Sequence, residues 1–245
     1  MSRPHLLAPL SVLCLTLALA PALARAGDVP TSRNQHTAIM LELLSDDGWV
    51  HVANKGGVDC YKRTMSQSST PAGMVSRVVD VTSDEFLAVL SDEDQFETFL
   101  KKPCYLHDAR ILNSNKADYH DVYQYLNLPK VLKDRHYVVR LFTEKNRDGV
   151  AGKHRVWWTL VPRDEYADFI DEMDEEKGGP PIYIEATEGS WELEPQADGG
   201  TKVTYRLYSI PGGTIPEWAV GVGNRESMPD MLNATADEAR RRAGK

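Results

Sequence analysis

The chain predicts an α+β fold, one strongly curved antiparallel sheet wrapped around a terminal helix. Its segments read in the order helix, three strands, helix, about six strands and a long helix. The links between strands are short, which favours antiparallel pairing over crossovers. Two of the later strands alternate cleanly: Tyr137-Val139-Leu141 against His136-Val138-Arg140, and Val203-Tyr205-Leu207 against Lys202-Thr204-Arg206. Each should therefore have one apolar and one wet face.

Within residues 34–44, Ile39, Met40, Leu43 and Leu44 keep helical spacing, and Ser45-Asp46-Asp47-Gly48 stops them. Strand-like runs follow at 49–53, 58–64 and 74–81, divided by Lys55-Gly56-Gly57 and by the polar stretch 66–73. Thr82-Ser83-Asp84-Glu85 is a capping box for a helix with Phe86, Leu87, Val89 and Leu90 on one face. After Asp92-Glu93-Asp94 a second apolar set, Phe96, Phe99 and Leu100, marks a bend or restart. Beyond Pro103, aromatic and β-branched residues bounded by turn formers predict strands at 105–112, 119–126, 136–142, 155–161, 182–193 and 201–209. The acidic segment 164–181 is too long for a hairpin turn and reads as a solvated, mobile lid loop with a short helix around 166–173. After Gly212-Gly213 the chain turns helical to its end, with Pro229 expected to kink or divide that helix.

Residues 1–26 read as a cleavable export signal, leaving 27–245 as the working domain, periplasmic or secreted. Arg3 supplies a basic start, the apolar stretch 6–20 is too short to span a bilayer comfortably, and Ala24-Arg25-Ala26 offers small residues for cleavage. Pro9 and Pro21 argue against an uncleaved anchor, and Leu13 before Cys14 argues against lipid attachment. The net charge of −8 becomes −10 once Arg3 and Arg25 are removed. That balance argues against nucleic acid and against electrostatic adhesion to anionic lipid, so any membrane contact should be transient or apolar. Cys60 and Cys104 remain after cleavage, either joined or as separate buried thiols.

Several motifs, in order, resemble the START domain, the lipid-transfer fold of the helix-grip superfamily. They are Gly48-Trp49 with Gly57-Val58-Asp59-Cys60-Tyr61-Lys62-Arg63, then Lys133-Asp134-Arg135-His136-Tyr137-Val138, then Gly212-Gly213-Thr214-Ile215-Pro216-Glu217-Trp218. The resemblance covers residues 49 to about 241. It implies a helix-grip fold and a non-enzymatic tunnel for one lipid, without a cofactor, closed by the C-terminal helix and nearby loops. His136 stands where the family usually has Asp. Cholesterol-binding members carry a buried acid and Arg in the strands matching 119–126 and 136–142. Here the Arg position falls on Leu141 while Arg140 points to the other face, so that pair is not carried over.

A lipid tunnel needs an apolar lining, because each unpaired buried polar atom costs about 1–3 kcal/mol. The expected lining is Tyr123, Tyr125, Tyr137, Val139, Leu141, Trp157 or its neighbour Trp158, Tyr205, Leu207, Trp218 and Val222, with Tyr123, Gln124 or Tyr125 orienting a ligand head. Gly221 and Gly223 inside the last helix mark it as the gate. The expected ligand is a sterol or related polycyclic lipid first and a phospholipid second, delivered through brief contact with a membrane or a periplasmic transport partner. The 7 histidines are scattered without a metal-binding motif, and no nucleophile elbow is present. Two rivals remain: an aromatase/cyclase-like enzyme of the same superfamily using Arg135, His136 and Tyr123, and an interaction module with a filled core.

Overall fold

The computed structural model describes residues 29–114, 118–213, 215 and 217–245, and the side chains at 103 and 217–226 lie outside that description. The expected export signal at 1–26 also lies outside the described residues. Ten strands form one sheet: β1 (Val50–Lys55), β2 (Val58–Arg63), β3 (Ala72–Val79), β4 (Leu106–Asn113), β5 (His120–Leu126), β6 (Arg135–Glu144), β7 (His154–Leu160), β8 (Ile182–Tyr183), β9 (Ala186–Pro195) and β10 (Thr201–Ile210). Their order is β1-β2-β3-β10-β9-β7-β6-β5-β4, with antiparallel neighbours throughout and β8 paired parallel to β6. This is the predicted helix-grip α+β fold.

The pairing of β3 with β10 joins the first strands to the last, so helices on either side of this junction share the concave face. These are α2 (Ser83–Leu90), α3 (Phe96–Cys104) and the C-terminal α5 (Glu217–Ala243), which packs on both of the others and on β2 and β3. The capping box of α2 forms as read: Glu85 N donates to Thr82 Oγ1 (3.2 Å) and Thr82 N donates to Glu85 Oε2 (2.7 Å). Phe86, Val89 and Leu90 then meet Val75, Val203, Leu232 and Ala236 in the main core. Gly73 sets how close α5 can lie, because a Cβ there would come within 2.6 Å of Met228 Sδ. Of the two expected outcomes at Pro229, division does not occur: α5 runs through it as one helix. Buried Met228 and Leu232 flank the proline, and their packing offsets the hydrogen bond it cannot make.

The convex face departs most from the sequence reading. Instead of facing water, it is covered twice. Helix α1 (Ala38–Leu44) packs Met40 and Leu43 against Phe142, Trp157 and Tyr208. Helix α4 (Ala167–Glu176) packs Ile170 and Met173 against Tyr123, Tyr125, Val138 and Val161. The short helix expected around 166–173 is α4, but instead of a solvated lid it is a packed cover, because Ile170 and Met173 are three apart and share one helix face despite the surrounding acids. The expected strand at 182–193 is also split. Ile182 N and Ile184 N donate to Asp134 O and His136 O beside β6, then Glu185 N turns to Ile210 O and starts the β9–β10 pair. Cys60, buried in β2, and Cys104, ending α3, are not joined to each other, and the Cys60 thiol donates to Val58 O (3.6 Å).

Helix α1 is tied to the sheet through Thr37, which accepts from Met40 N (2.9 Å) and donates to Glu188. Burial pushes the Glu188 carboxyl up to about 7, against the lowering effects of Thr37, the Met40 backbone and Thr159. A carboxyl whose pKa rises on folding takes up a proton on folding, so this contribution is complete below the unfolded value near 4.5 and is lost as pH rises to about 7. The melting temperature should fall across that window by several degrees, and Glu188→Gln should flatten this part of the profile. Parallel wild-type and variant profiles would refute the assignment.

Candidate functional site

Between the concave face and helices α3 and α5 lies a cavity of about 450 Å³. Alternation along the strands decides what it meets. From β6 come Arg135, Tyr137, Val139 and Leu141, and from β5 the facing Gln124 and Leu126. Val156 and Trp158 of β7, Trp191 of β9, and Tyr205 and Leu207 of β10 continue the wall. Phe96 and Leu100 of α3, with Met228 and Met231 of α5, form the opposite side. Leu128, Pro129 and Leu132, from the loop between β5 and β6, close one end.

Three aromatic rings stack in a row along the wall. Trp191 stacks on Tyr205 at 4.1 Å and 13°, and Trp158 continues at 6.0 Å and 30° from Tyr205. Trp158 lies across Gly189 of β9, where a Cβ would sit 2.2 Å from its Cζ2. The polar groups on the wall are mostly paired: Tyr137 Oη donates to Gln124 Oε1 (2.7 Å) and Trp158 Nε1 to Thr187 Oγ1 (3.4 Å). Burial raises the Tyr137 and Tyr205 phenols above their usual range, and pushes the Cys104 thiol up to about 12 with a smaller contribution from Asp230. These groups are neutral at physiological pH. The cavity can therefore take an apolar body over most of its length, with neutral hydrogen bonding near Gln124.

Of the residues expected to line a tunnel, Tyr137, Val139, Leu141, Tyr205 and Leu207 are on the cavity wall. Tyr123, Tyr125 and Trp157 are on the convex face instead. Tyr123 pairs with Val138 and Tyr125 with His136, so both share the outward parity, while Trp157 pairs with Phe142 and stacks on it at 4.1 Å. Its neighbour Trp158 takes the inward position. The side chains of Trp218 and Val222 lie outside the described residues, as do the surroundings of Gly221 and Gly223. Arg135, named from sequence only for the enzyme alternative and left out of the expected lining, is on the cavity wall, since it stands two residues before Tyr137 on the same strand and so shares its face.

An acid and an arginine do pair across β5 and β6, but on the convex side. Arg140 Nε and Nη2 donate to Asp121 Oδ1 (2.8 Å) and Oδ2 (3.0 Å). His136 and Tyr123 lie under α4 on this same side, whereas Arg135 faces the cavity, so the enzyme-like trio is not assembled at one site. Burial lowers the His136 pKa, against the opposing pull of Asp174. Among the described residues, no group of three or more His, Cys, Asp or Glu is placed to hold a metal ion, and no helix is long and apolar enough to cross a membrane.

No family model matches the chain. An uncharacterized protein of Pseudomonas aeruginosa is 28% identical over 179 residues, covering 71% of this chain and 78% of that protein. The crystal structure of a STAR-related lipid transfer protein from Xanthomonas axonopodis superposes with a TM-score of 0.64 at 25% identity, covering 79% of this chain and 99% of that one. Human STARD10 gives 0.67 at 14% identity, covering 91% and 87%, and human StAR-related lipid transfer protein 5 gives 0.64 at 13%, covering 84% and 92%. With its ten-stranded sheet closed on a C-terminal helix over an apolar cavity, the chain is a START-like domain.

Proposed function

We propose that this protein encloses one hydrophobic lipid in the cavity beneath α5 and carries it through an aqueous compartment outside the cytoplasm. The observation that carries the reading is the largely apolar wall around a cavity of about 450 Å³, within the range of about 300–1,000 Å³ usual for small-molecule sites. Burial of lipid surface would drive loading, at about 2.5 kcal/mol for each 100 Å² removed from water. The rigid aromatic row Trp158–Tyr205–Trp191 supports a sterol or related polycyclic body as the first reading, with a phospholipid as the second. Release requires α5 and the neighbouring loop to part at a membrane or transport partner. That loop holds Val131 89% exposed between Lys130 and Lys133, an apolar tip with flanking cations suited to brief membrane contact. The export signal read in residues 1–26 would place this traffic in the periplasm or the secreted space.

Mass spectrometry of organic extracts of the protein purified from its own host should find one lipid per chain. The same lipid, added back to stripped protein, should raise the melting temperature in proportion to the logarithm of its concentration above Kd. An empty extract together with an unmoved melting temperature for sterols and phospholipids would overturn the proposal.

A further inference from the structure

Arg135 is 2% exposed and is the one charged side chain among the described residues that line the cavity. The other buried arginines are each matched with a carboxylate: Arg140 with Asp121, Arg155 with Glu192 and Arg206 with Glu192. Arg135 forms no ion pair among the described residues. Its partners are backbone carbonyls: Nε donates to Pro211 O (3.2 Å), Nη2 to Gly212 O (2.9 Å) and Nη1 to Lys133 O. The acid next to it in sequence, Asp134, is occupied elsewhere, accepting from Leu128 N (2.8 Å) and from Tyr125 Oη. A guanidinium has five N–H groups, so these bonds leave two without a protein partner. Among the described residues no carboxylate contacts the charge, which Asp134 favours only through space, in a low-dielectric site where lack of a contacting counterion is costly.

The surroundings show that the position is held. Gly212 and Gly213 both have φ of +68°, a left-handed turn that brings the carbonyls of Pro211 and Gly212 to the guanidinium. A Cβ on Gly213 would fall 2.6 Å from Ile182 Cδ1 and 3.5 Å from Arg135 Nη2. Along β6 the inward residues run Arg135, Tyr137, Val139, Leu141, a span of about 20 Å at the rise of a strand. The cation is at one end of this line, beside Leu128 and Leu132, and the rest is aromatic or aliphatic.

We propose that Arg135 is the anchor for an anionic head, so that the cavity selects lipids ending in a carboxylate or phosphate, with the apolar body extending along β6 toward Leu141. This rests on the lipid-binding reading and narrows it: the ligand supplies the missing counterion as a two-oxygen acceptor that the planar guanidinium can bind with paired donors. Sterol and acyl bodies both remain compatible, because the selection is made at the head.

The test titrates stripped protein with two matched pairs, oleic acid against methyl oleate and cholesterol hemisuccinate against cholesterol, with oleyl phosphate as the second anion. Binding is read by native mass spectrometry and by melting temperature at pH 8. In at least one pair the acid should bind at least tenfold tighter than its neutral partner, and oleyl phosphate should match oleic acid. Arg135→Gln should remove the preference for the acid over its neutral partner, and Arg135→Lys should keep part of that preference. Equal affinity for acid and neutral partner in wild-type protein would overturn the anchor and leave the lipid reading standing, whether or not Arg135→Gln folds. Preference retained in a folded Arg135→Gln would overturn it as well. No binding of any of these lipids would overturn the lipid reading and the anchor together.

Discussion

Asp121→Ala should destabilise the protein by about 3–5 kcal/mol, measured as a lower urea midpoint at unchanged slope. Asp121 is 1% exposed and accepts both Arg140 bonds, together with one from Tyr166 Oη at 2.7 Å. Its loss leaves a buried guanidinium beside the Tyr119 ring at 4.3 Å with the more exposed Glu165 carboxylate (3.0 Å) and Pro30 O (3.4 Å) as its remaining partners. Most of the expected loss is this uncompensated charge and not the value of the pair itself. Asp121→Ala combined with Arg140→Met should therefore recover much of it. For comparison, the exposed pair Lys202–Glu194 at 3.4 Å should be worth no more than about 1 kcal/mol. A loss for Asp121→Ala as small as that would show that the convex face is wet in solution.

Val139→Trp should abolish lipid retention while leaving the fold intact. Val139 lies midway along the inward row of β6, facing the cavity between Tyr137 and Leu141. An indole there would occupy space that the ligand body needs, and filling a void is neutral or stabilising when the side chain fits. We expect bound lipid to fall at least tenfold, equivalent to about 1.4 kcal/mol or more of binding free energy. The melting temperature of the empty protein should be unchanged or higher. Stoichiometric lipid in a folded Val139→Trp protein would place the ligand outside this cavity.

The order and type of the elements were legible because each carries a local signal. Thr82 and Glu85 cap α2 in one turn of chain, and Ser45 to Gly48 ends α1 within a few residues. The facing of β6 was legible too, from its own alternation. What could not be read was how neighbouring strands align with it. Tyr123 and Gln124 differ only in parity, and it is the pairing of Gln124 with Tyr137 that puts the amide in the cavity and the phenol behind the sheet. Trp157 and Trp158 are adjacent and equally apolar, and the same alignment divides them. The covered convex face was missed for a different reason. In α4, two buried side chains sit in a run of acids, so average polarity hid an apolar stripe that only helical spacing reveals. Arg135 was named for the enzyme alternative and not as lining, because a strand-initial arginine ordinarily reads as an exposed end and the turn that encloses it is formed some 76 residues later.

Strand β6 carries two independent sets of residues, one facing the cavity and one locked into Asp121, α4 and α1, interleaved at every second position. Substitution at Tyr137, Val139 or Leu141 can reshape what the protein accepts without disturbing the set behind it. Insertion or deletion of a single residue has the opposite character, since it would exchange the sets, moving Arg140 inward and a valine or leucine against Asp121. Over evolutionary time such a strand is free to change its cargo by point replacement while its length stays invariant, and homologues with different ligands should differ at alternate positions of β6 and share its residue count.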